Sequence, residues 1–272
     1  MTTNDADLPA ASVRLAALSW GPETNDPTTP QVLLLHGLTS AAGTWWQVAS
    51  ALADAGCAVT AVDLRGHGAS PRTDRYLLSS YAADVTRVTP TVQPARPWNL
   101  VVGHSLGGAV AIVAADAHPH WADALLLLDP VLAVGPESMD GLLDELLGDL
   151  RGSGLDADAL LQAHPRWHSE DAVQKVNAAR VVSPFVVERT VRDNPDWQLE
   201  ARAARLRPTL RVLAADAALD ASFRPELGAR LGAANPRFSY AEVTGSGHSV
   251  QRDDPARVVR EARELLGDAP AG

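Results

Sequence analysis

The chain has 272 residues and a formal net charge of −10, and 46% of it is apolar with few aromatics. That length and composition suit a soluble globular protein with a real core, built as one large α/β domain or two small ones. The acidic balance argues against a nucleic-acid partner, which would want a basic stripe.

Residues 1–9 are polar and acidic, with neither the basic nor the apolar region of a signal peptide, so no leader is expected. Residues 13–20 alternate weakly and predict an edge strand, and residues 21–30 read as a surface loop. Residues 31–35 form a short apolar run ending at His36-Gly37, which predicts a central strand buried on both faces. A helix is predicted over 44–55, with cap candidates from Ser40 to Thr44. The single cysteine, Cys57, excludes an intramolecular disulfide and points to a reducing, cytoplasmic location; at the start of a strand it reads as a small buried residue. That strand covers 58–62 and runs into Asp63-Leu64-Arg65-Gly66-His67-Gly68-Ala69-Ser70. A helix over 79–88 has Ser79 or Ser80 as its expected N-cap. Strand 98–102, helix 106–117 and buried strand 124–128 follow. No apolar run reaches membrane-spanning length; the longest, 122–128, is broken by Asp123 and ends at Asp129, so no membrane partner is expected.

The strand pattern then stops. From Val131 to about Ala204 the sequence predicts helices near 139–150, 156–162, 170–179 and 184–193, punctuated by Gly152, Gly154, Pro165, Pro184 and Pro195. Alternation resumes with a strand at 209–214, a helix at 225–231, a strand at 237–243 and a final helix at 255–266, where Pro255 suits the first turn. Residues 268–272 are expected to fray. The predicted fold class is therefore α/β, with a mostly parallel central sheet and helices on both faces. Residues 1–132 and 205–272 make the core domain, and 133–204 a helical insertion. In such sheets chemistry collects at the carboxyl ends of the strands. The polar residues there are His36, Asp63, Ser105, Asp129, Asp216 and His248.

One junction carries most of the chemistry. Gly103-His104-Ser105-Leu106-Gly107 joins a strand to a helix with a serine at the apex, the G-x-S-x-G pattern of a nucleophile elbow. Glycines flank the serine because the two backbones approach too closely for a Cβ. The turn exposes the Ser105 hydroxyl and leaves the Leu106 N–H at a helix N-terminus, facing any oxyanion that forms. A serine hydroxyl needs a neighbouring base. His248, in the pliable loop Gly245-Ser246-Gly247-His248-Ser249, is the candidate; His104, adjacent to Ser105, points elsewhere.

These stretches, with Leu35-His36-Gly37-Leu38 and the run Asp63 to Ser70, occur in an order and spacing that resembles the α/β-hydrolase superfamily over nearly the whole chain, with a cap inserted after the strand that ends at Asp129. The resemblance implies Ser105 as nucleophile, His248 as base and the N–H groups of Leu38 and Leu106 as oxyanion donors. It implies an orienting acid after the strand at 209–214, usually on a Gly-x-x-Asp loop. Here the loop reads Ala214-Ala215-Asp216-Ala217-Ala218-Leu219-Asp220 and lacks the glycine. A minority of members place the acid one strand earlier, where this chain has Leu127-Leu128-Asp129-Pro130. A carboxylate at the end of four leucines needs a partner. Asp129 is therefore preferred, Asp216 is the alternative, and Asp220 is more distant. Asp63, Arg65 and His67 read as structural holders of a tight turn.

His36 is expected to hold the oxyanion loop and to border the substrate pocket, together with Trp45 and Trp167; Trp46 is a further candidate. Met139, Leu142, Leu143, Leu146, Phe185 and Val186 are expected to pack the cap or to line an apolar pocket. Arg166, His168 and Glu170 are read as contacts to substrate or as caps of the next helix. His118 and His120 are read as surface residues, and neither a metal nor a cofactor is expected. The implied activity is hydrolysis of a small, fairly apolar ester or lactone through an acyl-enzyme, by a monomer or homodimer. C–C bond hydrolysis and perhydrolysis use the same triad. Haloalkane dehalogenation and epoxide hydrolysis need a carboxylate where Ser105 stands. The irregular acid loop also leaves open a non-catalytic, ligand-binding homologue.

Overall fold

Apolar runs of this kind, bounded by Gly, Pro and Asp, make strands that bury both faces. A computed structural model of the protein describes residues 12–22, 26–92, 94–219 and 221–267. In chain order the strands are β1 (Ala17–Trp20), β2 (Gln31–Leu35), β3 (Ala58–Val62), β4 (Trp98–His104), β5 (Ala122–Leu128), β6 (Ala133–Val134), β7 (Trp197–Gln198), β8 (Thr209–Ala214) and β9 (Phe238–Glu242). Among the described residues, seven of them form one sheet in the order β1-β3-β2-β4-β5-β8-β9. Within this sheet only β1 runs antiparallel to its neighbour, and the other pairs are parallel. The helices are α1 (Trp46–Asp54), α2 (Leu78–Val85), α3 (Leu106–Ala117), α4 (Met139–Gly148), α5 (Ala157–Ala163), α6 (Ser169–Val181), α7 (Pro184–Arg192), α8 (Glu200–Ala203), α9 (Pro225–Ala234), α10 (Val250–Asp253) and α11 (Pro255–Leu265).

Alternate strand residues face opposite sides of the sheet. Leu33 and Leu35 pack with α2 and α3 on one side, whereas Val32 and Leu34 pack with Val48 and Leu52 of α1 and Val258 and Ala262 of α11 on the other. The first of these clusters continues into the segment between β5 and β8, through Val186, Val187 and Val191 of α7. Ten of the twelve residues of α3 are buried, which is why that helix reads as apolar nearly all round. Among the described residues no helix is long and apolar enough to cross a membrane.

Three local expectations are corrected. The helix expected from Ser79 begins at Leu78, its N-cap is Leu77 without a side-chain bond, and Ser80 is buried inside it. The stretch expected to hold no strand contains the β6–β7 pair, in which Val134 faces Trp197. Two residues per strand are too few to show a period. The four-residue helices α8 and α10 were unpredicted for the same reason. Residues 1–9 and 268–272 lie outside the described residues.

The run after β3 is structural, as its side chains show. Asp63 accepts from the N–H groups of Ala42 (2.7 Å) and Ala69 (2.9 Å). Arg65 is buried and grips Asp84 with two bonds, Nε to Oδ2 at 2.6 Å and Nη2 to Oδ1 at 2.8 Å. His67 donates from Nδ1 to the Arg65 carbonyl at 2.9 Å.

Candidate active site

β4 ends at His104 and α3 begins at Leu106, so Ser105 is the single residue between them. It holds φ 51° and ψ −115°, a conformation that costs a non-glycine residue about 1–3 kcal/mol. The neighbours show why glycine is required. A Cβ on Gly103 would lie 2.7 Å from the Gly107 carbonyl oxygen, and one on Gly107 would strike the Leu35 carbonyl. The other two described non-glycine residues at positive φ are Thr39 (59°) and Asp129 (38°), both at neighbouring strand ends. Backbone strain is thus concentrated around the serine. Leu106 opens α3, so its N–H has no partner within the helix.

His248 reaches this region from the loop after β9. Its Nδ1 lies 2.6 Å from Asp129 Oδ2, with Ser222 Oγ at 3.3 Å. A carboxylate only accepts, so Nδ1 carries the proton and Nε2 is left as the acceptor. Asp129 is fully buried. Besides His248 it accepts from the N–H groups of Ser222 (2.8 Å), Phe223 (3.0 Å) and Ala215 (3.2 Å). Four N–H donors therefore replace the water that the carboxylate loses.

Asp216 is placed differently. Its Oδ2 accepts from Gly245 N at 2.6 Å and its Oδ1 from Ala218 N at 2.9 Å, and these two bonds, Gly245 first, hold its carboxyl below the usual range. Its own N–H donates to Ser246 O at 2.8 Å. It binds the backbone of the His248 loop rather than the imidazole. Asp220 lies outside the described residues.

Ser105, Leu38, Leu106 and His248 line one cavity of about 600 Å³. Trp167 lines it too, anchored by its Nε1 to Asp253 Oδ1 at 3.1 Å. His36 and Trp45 do not, which corrects their placement in the pocket. His36 is buried, donates from Nδ1 to Gly37 O at 2.7 Å and accepts at Nε2 from Leu64 N at 3.0 Å. It ties the β2 turn to the β3 turn. Burial pushes it down to about 4; protonation would also set two N–H donors against each other at Nε2. Trp45 is 1% exposed and packs in the core cluster with Val32 and Val48, at the end of the short 3-10 turn Ala42–Trp45. Trp46 Nε1 binds Asp171 at 2.9 Å and joins α1 to α6. His104 donates from Nε2 to the His248 carbonyl at 2.9 Å, and burial lowers its pKa well below the ordinary value.

Leu142 and Leu146 line the cavity, Leu143 and Val186 are core, and Phe185 is exposed. His168 caps α6, accepting at Nδ1 from Glu170 N at 3.1 Å, while Arg166 lines the cavity. His118 and His120 are exposed, and no cluster suited to a metal occurs among the described residues. The wall is less apolar than expected. Thr39, Lys175, Arg252 and Asp253 also face the cavity, and sequence reasoning passed over all four. Lys175 carried a signal: it interrupts the buried stripe Ala172, Val176, Ala179 of α6. Burial lowers its pKa, and its Nζ binds Thr39 Oγ1 (2.6 Å) and Asp149 Oδ2 (2.8 Å).

Residues 32–261 match the model of the alpha/beta hydrolase family. Lipase LipV of Mycobacterium tuberculosis is 34% identical over 122 residues, 44% of this chain and 45% of that protein. The chain spans less than half the length of the first curated relatives it matches. Among solved structures, an E-2-(acetamidomethylene)succinate hydrolase has a TM-score of 0.78 at 18% identity, covering 93% of this chain and 95% of that one. The enol-lactonase from Burkholderia xenovorans LB400 has a TM-score of 0.73 at 20% identity, covering 95% and 99%. At those identities the structural likeness is one of fold.

Proposed function

The chain belongs to the alpha/beta hydrolase family, and from that premise we propose that it is a serine hydrolase cleaving a carboxylic ester or lactone. Ser105 Oγ attacks the carbonyl while His248 Nε2 takes its proton. Asp129 fixes the imidazole tautomer and stabilises the imidazolium. The N–H groups of Leu38 and Leu106 hold the oxyanion, each worth about 10²- to 10³-fold in rate. The alcohol leaves with the proton from His248. Water, activated by the same imidazole, then releases the acid. Residues 133–204 act as the cap over the cavity. A cytoplasmic enzyme with no cofactor fits this chemistry.

The observation that carries the reading is the 2.6 Å contact between His248 and buried Asp129, on a histidine that shares its cavity with Ser105. The relatives named as a lipase and an enol-lactonase act on the two substrate classes proposed. The irregular loop after β8 lent weight to a non-catalytic homologue. That weight falls away if the acid comes from β5. The test is a fluorophosphonate probe with intact-mass readout. One adduct on the folded protein and none on Ser105→Ala is expected; a folded, unlabelled wild type would overturn the reading.

A further inference from the structure

Arg252 is a buried cation on the wall of the Ser105 cavity; the charges of Asp171, Asp149 and Asp253 act on it from a distance, but among the described residues no carboxylate touches it. It lies on α10, four residues after His248, and is 3% exposed. Its Nη1 donates to Ser249 Oγ at 3.0 Å and its Nη2 to Ser40 Oγ at 3.4 Å. The guanidinium stands 4.7 Å from the centre of the Trp167 ring, and its buried Nε has no acceptor.

The nearby carboxylates are committed elsewhere. Asp149 takes Lys175 and Thr39. Asp171 accepts from Trp46, Gln47 and the His168 N–H. Asp253 accepts from Trp167, Ser246 and the Gly247 N–H. Among the described residues none of them pairs with Arg252 within 4.0 Å. The other buried arginine among the described residues is the control: Arg65 has Asp84 in a two-bond grip and the Arg75 and Ser80 carbonyls besides. Burying a guanidinium without a directly bonded counter-ion is costly; the distant carboxylates offset only part of that cost, and an anion in contact recovers more of it. Neutral hydroxyls and an indole face position the group without neutralising it.

We propose that Arg252 binds a carboxylate on the substrate, so that the hydrolysed ester or lactone carries a second, free carboxylate. This rests on the Ser105 hydrolase reading and names its substrate class. Arg252 bridges the two segments that frame the reaction, since Ser40 follows the Leu38 turn and Ser249 follows His248. The free carboxylate therefore stands a short chain away from the scissile carbonyl, as in the half-ester of a short dicarboxylic acid. Leu142, Leu146 and Val191 offer the apolar wall for the intervening carbons.

Two measurements test this. The first compares p-nitrophenyl hydrogen glutarate with neutral p-nitrophenyl valerate. Wild type should favour the anionic ester in kcat/KM, and Arg252→Met should cut the ratio of the two by about 10- to 100-fold, mainly through KM, as loss of a charge-assisted bond requires. Arg252→Lys should restore part of it. No preference in wild type, or an equal loss on both esters, overturns the proposal. The second measurement is calorimetry of monomethyl glutarate with folded Ser105→Ala protein, where binding should occur and should vanish when Arg252→Met is added. Binding that persists without Arg252 overturns the proposal as well. The calorimetry needs no turnover. Fluorophosphonate labelling and valerate hydrolysis without carboxylate binding would sink the Arg252 site alone. Absent labelling would sink the hydrolase reading, while the calorimetry still reports on Arg252.

Discussion

Asp129 and Asp216 stand just past the carboxyl ends of neighbouring parallel strands, β5 and β8, yet the fold uses them in opposite ways. Asp129 is fully buried and meets His248 Nδ1; Asp216 lies nearer the solvent and meets backbone N–H groups. The difference comes from what the loop after β8 gives. That loop offers its own backbone, at Ala215, Ser222 and Phe223, to the carboxylate of the preceding strand. It then uses Asp216 to hold the turn at Gly245 and Ser246, three and two residues before His248. One aspartate bonds the imidazole itself, and the other bonds the loop that carries it.

The most direct way to break this comparison is to remove each carboxylate with little change in shape. Asp129→Asn should lower kcat on a p-nitrophenyl ester by about 10⁴-fold, because the amide can favour the wrong imidazole tautomer. Asp216→Asn should cost less than about tenfold, since no transition-state contact is lost. If the Asp216 variant shows the larger loss, the two roles are reversed.

Ser222 allows a sharper version. Its Oγ is 3.3 Å from His248 Nδ1, so a carboxylate placed there approaches the same ring nitrogen from the β8 loop. In the Asp129→Asn background, Ser222→Asp should recover about 10- to 100-fold of kcat, within the range a positioned acid–base partner supplies. No recovery, with the fold intact by thermal melting, would mean that the buried donors around Asp129 matter as much as its charge.

These contrasts also show what was legible beforehand. β2, β3, β8 and α3 begin and end where the apolar runs do, because a strand buried on both faces leaves little freedom in composition. The serine turn was legible because glycine is enforced there by backbone contact. Asp129 was favoured by a local argument, four leucines before a charge, whereas the donors that justify it lie some ninety residues on, at Ala215, Ser222 and Phe223. The pocket was the least legible part. Trp45 follows the oxyanion turn in sequence, but its ring is buried in the core cluster with Val32 and Val48. Nothing local marks Arg252 as the end of a cavity, whereas Lys175 does leave a local mark, as the one charge within the buried stripe Ala172, Val176, Ala179.

The smallest expected effect separates the loop-holding aspartate from the buried histidines by pH. His36 and His67 are neutral inside the protein, pushed down by burial from 6.5 to about 4 and about 3. Below pH 6.5 the unfolded chain binds protons that the native state refuses. Stability is therefore full above 6.5 and falls as pH drops towards those values, by up to about 1.4 kcal/mol per pH unit for each histidine. Asp216 acts lower. Its pKa is held below 3.8 by the Gly245 and Ala218 N–H groups, so its contribution is present above 3.8 and disappears as pH falls further. Wild type and Asp216→Asn share the histidine limb, which cancels in the difference of their melting curves. The wild-type advantage in Tm should hold from pH 7 down to about pH 4 and shrink below it. An advantage that starts to vanish near pH 6 would place the loop restraint on a histidine instead of on Asp216.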